Sequence, residues 1–411
     1  MVLKNIFYLY TIQLLRLGLP LAMLSILTNV LTSAQYGVYI YTLGCGAWLS
    51  IFVEYGFNVS ATRRMTAFTQ PCASRDVVLQ TQAARWLLAG STLLFLAWAT
   101  MVSSVFSAHT EWALSAWLLG VMTGMTPTYY YQAVSRLRLV AMLEVSGGVL
   151  TLSTVLLLVH SSVDFWRLCF VLVLVRLVIW QILERKMFTE HQISLRESLR
   201  IQPGLIAIKD GWKVFLVQAA ASLYTSFNIL LLGGVSSAYD VAVYGSCERM
   251  IRAGVTFISQ ASSAIFPSLN KFKATDITRL SRARLLSLIV FSAGGVLCVP
   301  LIYVLAPLIS SIVFHERLPD LTTTMRIMAW AVPAIAISNV LAIHFLVVDH
   351  QEQLVHRIVF AAVPVSLISG YLLAREHGAA GMAAVWVAVE WIVVVGLVVI
   401  TYYHSTRVQR L

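Results

Sequence analysis

Residues 285–314 read LLSLIVFSAGGVLCVPLIYVLAPLISSIVF, a run without a single Asp, Glu, Lys or Arg. About 20 mostly apolar residues are enough for a helix to cross the hydrocarbon of a bilayer, and this run exceeds that length. Working outward from it, comparable stretches lie near residues 214–235, 241–266, 325–348, 358–374 and 378–402. Earlier in the chain they lie near 9–31, 38–55, 86–106, 112–131, 139–159 and 166–182. The whole 411-residue chain is 59% hydrophobic and 11% charged. Soluble domains run at about 45–50% and about 25%, and one soluble core could not hide this much apolar surface. The pattern predicts an all-α membrane protein of about twelve transmembrane helices. No polar stretch is long enough for a separate soluble enzymatic module.

A more polar segment divides the runs, predicting an N-terminal six-helix lobe (1–183), a cytoplasmic connector (184–213) and a C-terminal six-helix lobe (214–411). The early apolar run, ending in Thr32-Ser33-Ala34, has the look of a secretory leader. Its apolar residues already begin at Ile6 and Arg16 interrupts it, so an uncleaved first helix is expected.

Lys and Arg set the orientation, because they concentrate on the cytoplasmic side of a membrane protein. Lys4, Arg63, Arg64, Arg75, Arg85, Arg136, Arg138, Arg185, Lys186, Arg196, Arg200, Lys209, Lys213, Lys271, Lys273, Arg279, Arg282, Arg284, Arg357, Arg407 and Arg410 fall on one side by this reading. Arg167, Arg317 and Arg375 fall on the other. Both termini are then cytoplasmic, and the net charge of +11 needs no nucleic acid to explain it.

Weak internal repetition supports two related lobes. Ser33-Ala34-Gln35-Tyr36-Gly37 precedes the second helix, and Ser237-Ala238 leads through Tyr244-Gly245 into the eighth. Pro127 in the fourth helix answers Pro333 in the tenth. With both halves starting on the same side, the lobes would be related by a pseudo-two-fold axis along the membrane normal.

A charge at mid-membrane costs about 2.5–3.5 kcal/mol on insertion scales, so it faces protein or a water-filled cavity. The candidates are Arg16, Glu54, Glu144, Arg176, Glu248, Arg249, Arg252, Arg326 and Glu390. Arg249 and Arg252 share a helix face by their i, i+3 spacing, and guanidinium forks suit phosphate oxygens. Arg16, Arg249, Arg252, Arg326 and Arg176 are therefore candidate ligands of an anionic substrate. Structural ion pairing, or snorkelling to the interface, is the alternative for each. Glu54, Glu144, Glu248 and Glu390 are candidate proton or cation sites, or partners of those arginines. Pro20, Pro127, Pro300, Pro307, Pro333 and Pro364 mark bends or tight packing.

Other chemistry is not in evidence. Cys45, Cys72, Cys169, Cys247 and Cys298 are scattered without disulfide or metal spacing. His344, His350 and His356 give no metal pattern, and neither a Walker loop nor a catalytic constellation appears. No metal, cofactor or nucleic-acid partner is expected. The sequon Asn58-Val59-Ser60 falls on the cytoplasmic side.

Three stretches carry a family resemblance. The first is Gln35-Tyr36-Gly37 with Glu54-Tyr55-Gly56-Phe57-Asn58-Val59-Ser60-Ala61-Thr62-Arg63. The second is Tyr224-Thr225-Ser226-Phe227-Asn228, continuing through Val243-Tyr244-Gly245, Glu248-Arg249, Gln260 and Phe266-Pro267-Ser268-Leu269. The third is Pro127 with Tyr129-Tyr130-Tyr131-Gln132. Together they resemble the polysaccharide-transporter family, the Wzx-type O-antigen flippases of the multidrug/oligosaccharidyl-lipid/polysaccharide exporter superfamily. Position 54 holds Glu where that family more often has Asp, which keeps the charge but not the pairing geometry. The resemblance implies a multi-pass protein of the bacterial inner membrane. Its implied task is moving undecaprenyl-pyrophosphate-linked oligosaccharide from the cytoplasmic to the periplasmic leaflet, through a cationic cavity coupled to an ion gradient. A polysaccharide polymerase and a chain-length regulator are candidate partners, besides membrane lipid. The rivals are a multidrug exporter of the same superfamily, which would want an acidic cavity, and a membrane-embedded polysaccharide enzyme, which would want a large outward loop.

Overall fold

The computed structural model describes residue 15, residues 18–67 and residues 71–408. They are helical almost throughout, and no strand occurs among them. Contacts divide the chain into two compact units, Met1–Ser222 and Leu223–Leu411. Among the described residues, seven helices are long and apolar enough to cross a bilayer, and one pair bent by 52° makes an eighth. The protein is a multi-pass membrane protein.

The first unit opens with α1 (Gly18–Val30) and α2 (Ser33–Glu54). Thr32 starts α2 as a capping box: its hydroxyl accepts from the Gln35 N–H, and the Gln35 side chain accepts from the Thr32 N–H, each at 3.2 Å. Left-handed Tyr55 ends it, and α3 (Phe57–Ala67) follows. Next come α4 (Pro71–Val102), α5 (Ser104–Ala108), α6 (Thr110–Met125) and α7 (Thr128–Ala133). The unit closes with α8 (Leu137–Leu158), α9 (Phe165–His191), α10 (Leu195–Ser198) and most of α11 (Ile201–Thr225).

Helices α2 and α6 approach closely because glycines leave room. A Cβ at Gly120 would stand 2.7 Å from the Leu49 Cβ and 2.8 Å from the Gly46 carbonyl, and Gly124 is as tightly pressed on Ser50 and Val53. This is the small-xxx-small contact by which membrane helices gain dispersion energy without a hydrophobic drive.

At the basic end of this unit, Glu190 on α9 receives Arg136 at 3.0 Å and the Tyr130 hydroxyl. Glu197 on α10 receives Arg75 at 3.0 Å. The Ser194 N–H, together with the Arg75 guanidinium, pulls the Glu197 carboxyl down to about 2.

The second unit contains α12 (Asn228–Val235), α13 (Ala238–Thr275), α14 (Ile277–Ile312), α15 (Leu321–Ala329) and α16 (Ala331–Val340). A π-helical turn, Leu341–Val347, extends α16, and α17 (Glu352–Val408) completes the unit. The opening stretch 285–314 is the heart of α14, which absorbs Pro300 and Pro307 without a break. α17 bends at Gly378, whose φ of 53° and ψ of −130° join what hydropathy separates as 358–374 and 378–402. The Asp240 carboxylate is packed against Gly378 and accepts from the Ser236 and Ser237 hydroxyls (2.6 Å each) and the Ala379 N–H (3.0 Å). A side chain at 378 would meet both that carboxylate and a backbone conformation L-residues avoid.

Two elements differ from their hydropathy outlines. The run 86–106 is divided between the later part of α4, which begins back at Pro71 because Thr81, Gln82 and Arg85 are buried among neighbours rather than looped into water, and the start of α5. Arg85, assigned by charge counting to the cytoplasmic surface, is 0% exposed. The run 112–131 is split at Thr126-Pro127 into α6 and α7, as proline's missing N–H leads one to expect.

Candidate functional site

The second unit holds a cavity of about 670 Å³ between α13, α16 and α17. Its polar lining is Thr225 from α11, Thr256, Ser259, Gln260 and Ser263 from α13, Ser338 and Asn339 from α16, and the charged pair Arg252 and Glu390. These positions recur along α13 at helical spacing, so one face of that helix presents a guanidinium followed by hydroxyls and an amide. The Asn339 amide donates to the Ser259 hydroxyl at 3.3 Å, and its oxygen has no partner among the described residues.

Arg252 is held from three directions. Its Nε and Nη2 bond the Glu248 Oε1 at 2.8 and 2.7 Å, one helical turn away. Nη2 also donates to the Thr225 carbonyl at 2.8 Å, and the guanidinium lies over the Trp386 ring, 5.3 Å from its centroid. The Trp386 indole N–H donates to Glu390 Oε1 at 3.2 Å. Glu248 is only 5% exposed at its side chain, whereas Arg252 keeps 39%. The guanidinium is therefore anchored through one edge while it still faces the cavity. One cation stands here with two carboxylates, so an anion gains most when one carboxylate is neutral.

The first unit places its charges differently. Glu54, 9% exposed at the end of α2, accepts the Asn58 N–H at 2.8 Å and the Gln218 amide of α11 at 2.7 Å. Arg176 on α9 pairs with Glu144 on α8 at 2.7 Å and donates to the Thr126 hydroxyl at 2.9 Å. A second cavity, about 470 Å³, is lined by Arg63, Arg64, Asp210, Ser60 and Thr81 with apolar neighbours.

Of the residues singled out from sequence, Arg252, Glu248 and Glu390 meet around Trp386, and Arg176 meets Glu144. Arg249 is half-buried and is not among the cavity's lining residues. Arg326 lies elsewhere in the second unit, its guanidinium 5.6 Å from the Tyr303 ring centroid and donating to the Tyr303 carbonyl at 3.4 Å. Arg16 lies outside the described residues. Sequence reasoning passed over Gln218, Trp386 and Asn339, which bear no charge, and over Arg85 and Glu184, which sit at the edges of their apolar runs. Glu184 is 5% exposed inside α9 and bonds the Gln82 amide.

Comparison with known proteins adds the following. The family described as Polysaccharide biosynthesis protein matches residues 2–273. Two proteins named for O-antigen transport are each 22% identical to this chain. One, from Shigella dysenteriae, aligns over 92% of this chain and 94% of its own length. The other, from Escherichia coli (strain K12), aligns over 95% and 94%. Among solved structures, the lipid II flippase MurJ in an inward closed conformation superposes with a TM-score of 0.75 at 10% identity, covering 97% of this chain and 87% of that one. An inward-facing multidrug resistance MATE family transporter of the MOP superfamily gives 0.70 at 14% identity, covering 97% and 95%. The fold is thus that of the MATE and MurJ transporters. These relatives are transporters and flippases, not enzymes.

Proposed function

This chain belongs to the polysaccharide biosynthesis protein family, and from that premise we propose that it flips a lipid-linked oligosaccharide across the bacterial inner membrane, from the cytoplasmic to the periplasmic leaflet. The observation that carries the reading is the cavity of the second unit. A chamber lined by Ser259, Gln260, Ser263, Ser338 and Asn339 offers hydrogen-bonding partners to sugar hydroxyls, and Arg252, whose Nε and Nη2 are engaged, offers the N–H groups of Nη1 to a phosphate. A cationic drug would find no reason for the guanidinium, so the drug-exporter alternative is the weaker one.

The charge count supports coupling to an ion gradient. With Glu248 bound to Arg252, the remaining charge facing the cavity is that of Glu390. A neutral, protonated Glu390 favours an anionic head group beside Arg252, and an ionised Glu390 opposes it. Binding and protonation are linked in this scheme, and alternating exposure to the two leaflets turns the linkage into transport.

The test is flipping in proteoliposomes containing fluorescent undecaprenyl-pyrophosphate oligosaccharide. Wild-type protein moves the lipid to the opposite leaflet, and Arg252→Gln does not. Equal rates in the two proteins, each shown to be folded, would remove the assignment.

A further inference from the structure

We propose that Arg85 and Arg284 are positioning residues, one in each unit, that each hold a broken membrane helix and make that break a hinge of the transport cycle. The functional half of this statement rests on the transport reading above; the geometry does not.

Each arginine reaches from one long helix to the backbone of the next membrane-crossing segment. Arg85 on α4 donates through Nη1 to the carbonyls of Met125 and Thr126, both at 3.1 Å, where α6 ends. The Tyr130 N–H is taken by the Pro127 carbonyl at 3.1 Å rather than by Thr126, whose carbonyl accepts from the Thr128 N–H at 2.8 Å as well as from Arg85. The Arg85 guanidinium supplies donors at the break, packed 4.7 Å from the Tyr129 ring centroid.

Arg284 on α14 does the same in the second unit by a different local route. In an α-helix the Val348 N–H would bond the His344 carbonyl. In the π-helical turn it bonds Ile343 at 3.3 Å instead, which frees the His344 carbonyl. Arg284 Nε takes that carbonyl at 2.9 Å, and Nη2 reaches Phe345 at 3.4 Å and the Asp349 carboxylate at 2.8 Å. Arg85 reaches carbonyls 40 and 41 residues ahead along the chain and Arg284 carbonyls 60 and 61 residues ahead, so the two clamps are alike in chemistry rather than in register. The proline pair noted in the sequence does not mark both breaks, because Pro333 lies inside unbroken α16.

An unbonded carbonyl in a bilayer interior is costly, so helices there keep their own ladders closed. A side chain that donates in place of the ladder removes that constraint. The segment beyond the break can then change angle or register while its carbonyls stay bonded. Such breaks and π-turns are where helices bend.

The full-length protein in nanodiscs tests this with Arg85→Lys and Arg284→Lys. Lysine keeps the positive charge but loses the planar fork. The expected result is hydrogen exchange at least about tenfold faster at 126–134 or at 343–351 respectively, confined to that break, together with a fall in flipping of about the same size. Unchanged exchange at the break, acceleration spread over the whole unit, or normal flipping despite faster local exchange would each overturn the proposal. Should Arg85→Lys fail to fold, Arg284→Lys decides, since its side chain is 15% exposed rather than fully buried. If wild-type protein flips no lipid-linked oligosaccharide, the preceding function fails on its own, and exchange at the two breaks still decides whether the clamps exist.

Discussion

Arg252 and Arg85 are both arginines on long helices of their units, yet they spend their charge in opposite ways. Arg85 is wholly enclosed, faces the Tyr129 ring and gives its hydrogen bonds to backbone carbonyls. Arg252 is bound by Glu248 through one edge and left open to a cavity on the other side. A buried charge becomes a candidate ligand not because it is costly to bury, which is true of both, but because some of its surface is left for a guest. Every prediction below is a way of disturbing that distinction.

The largest effect is expected from Arg252→Ala. It removes the proposed ligand and leaves Glu248 buried without its partner, which costs about 3–5 kcal/mol. Thermal melting should fall sharply and flipping should be lost. The double change Arg252→Met with Glu248→Met removes both charges, so melting should recover while flipping stays absent. Recovery of flipping in the double variant would place Arg252 in the same closed class as Arg85.

Glu390→Gln comes next. Fixing the side chain neutral should leave head-group binding intact and flatten the pH dependence of flipping, with the rate reduced roughly tenfold or more if proton exchange limits the cycle. A pH profile identical to wild type would take Glu390 out of the coupling scheme.

Gly120→Leu probes a purely closed region. It forces α2 from α6 and should destabilise by about 1–3 kcal/mol, lowering the yield of folded protein but not the flipping rate per folded molecule. A rate change in the folded fraction would show that the α2–α6 contact takes part in the motion.

The smallest effect belongs to Glu197→Gln at the aqueous end. The Glu197 carboxyl is held near about 2 in the fold, against about 4.3 for a free side chain. Its contribution to stability is therefore complete above that free value and lost as pH falls toward the lower one. Melting curves of wild type and Glu197→Gln should differ slightly at neutral pH and converge in strong acid; a difference that grows in acid would reverse the assignment.

Much of the fold was legible from the chain because lipid imposes a simple rule on length and polarity. The stretch 285–314 announces α14, and Pro127 announces the split between α6 and α7. The site was legible only in part. Spacing puts Arg249 and Arg252 on one helix face, yet only Arg252 lines the cavity, because a face some 100° wide still has two edges. Arg85 was unreadable for a related reason. A basic residue at the end of an apolar run looks the same whether it meets water or another helix, and only the packing of α4 decides. The π-turn at 341–347 leaves no mark in residue type at all; it is set by which carbonyl the Val348 N–H finds.

The helices α13 and α14 hold 38 and 36 residues. At 1.5 Å per residue each extends for more than ~50 Å, well beyond the ~30 Å thickness of bilayer hydrocarbon. Their shared corner at Asp276, with Ile277 77% exposed and Arg279 74% exposed at its side chain, is stiffened on both sides by regular helix. A membrane protein of this mass is hard to align in electron micrographs. Grafting a folded marker across residues 275–277, in phase with both helices, would give each particle a fixed landmark while leaving the intramembrane cavity untouched.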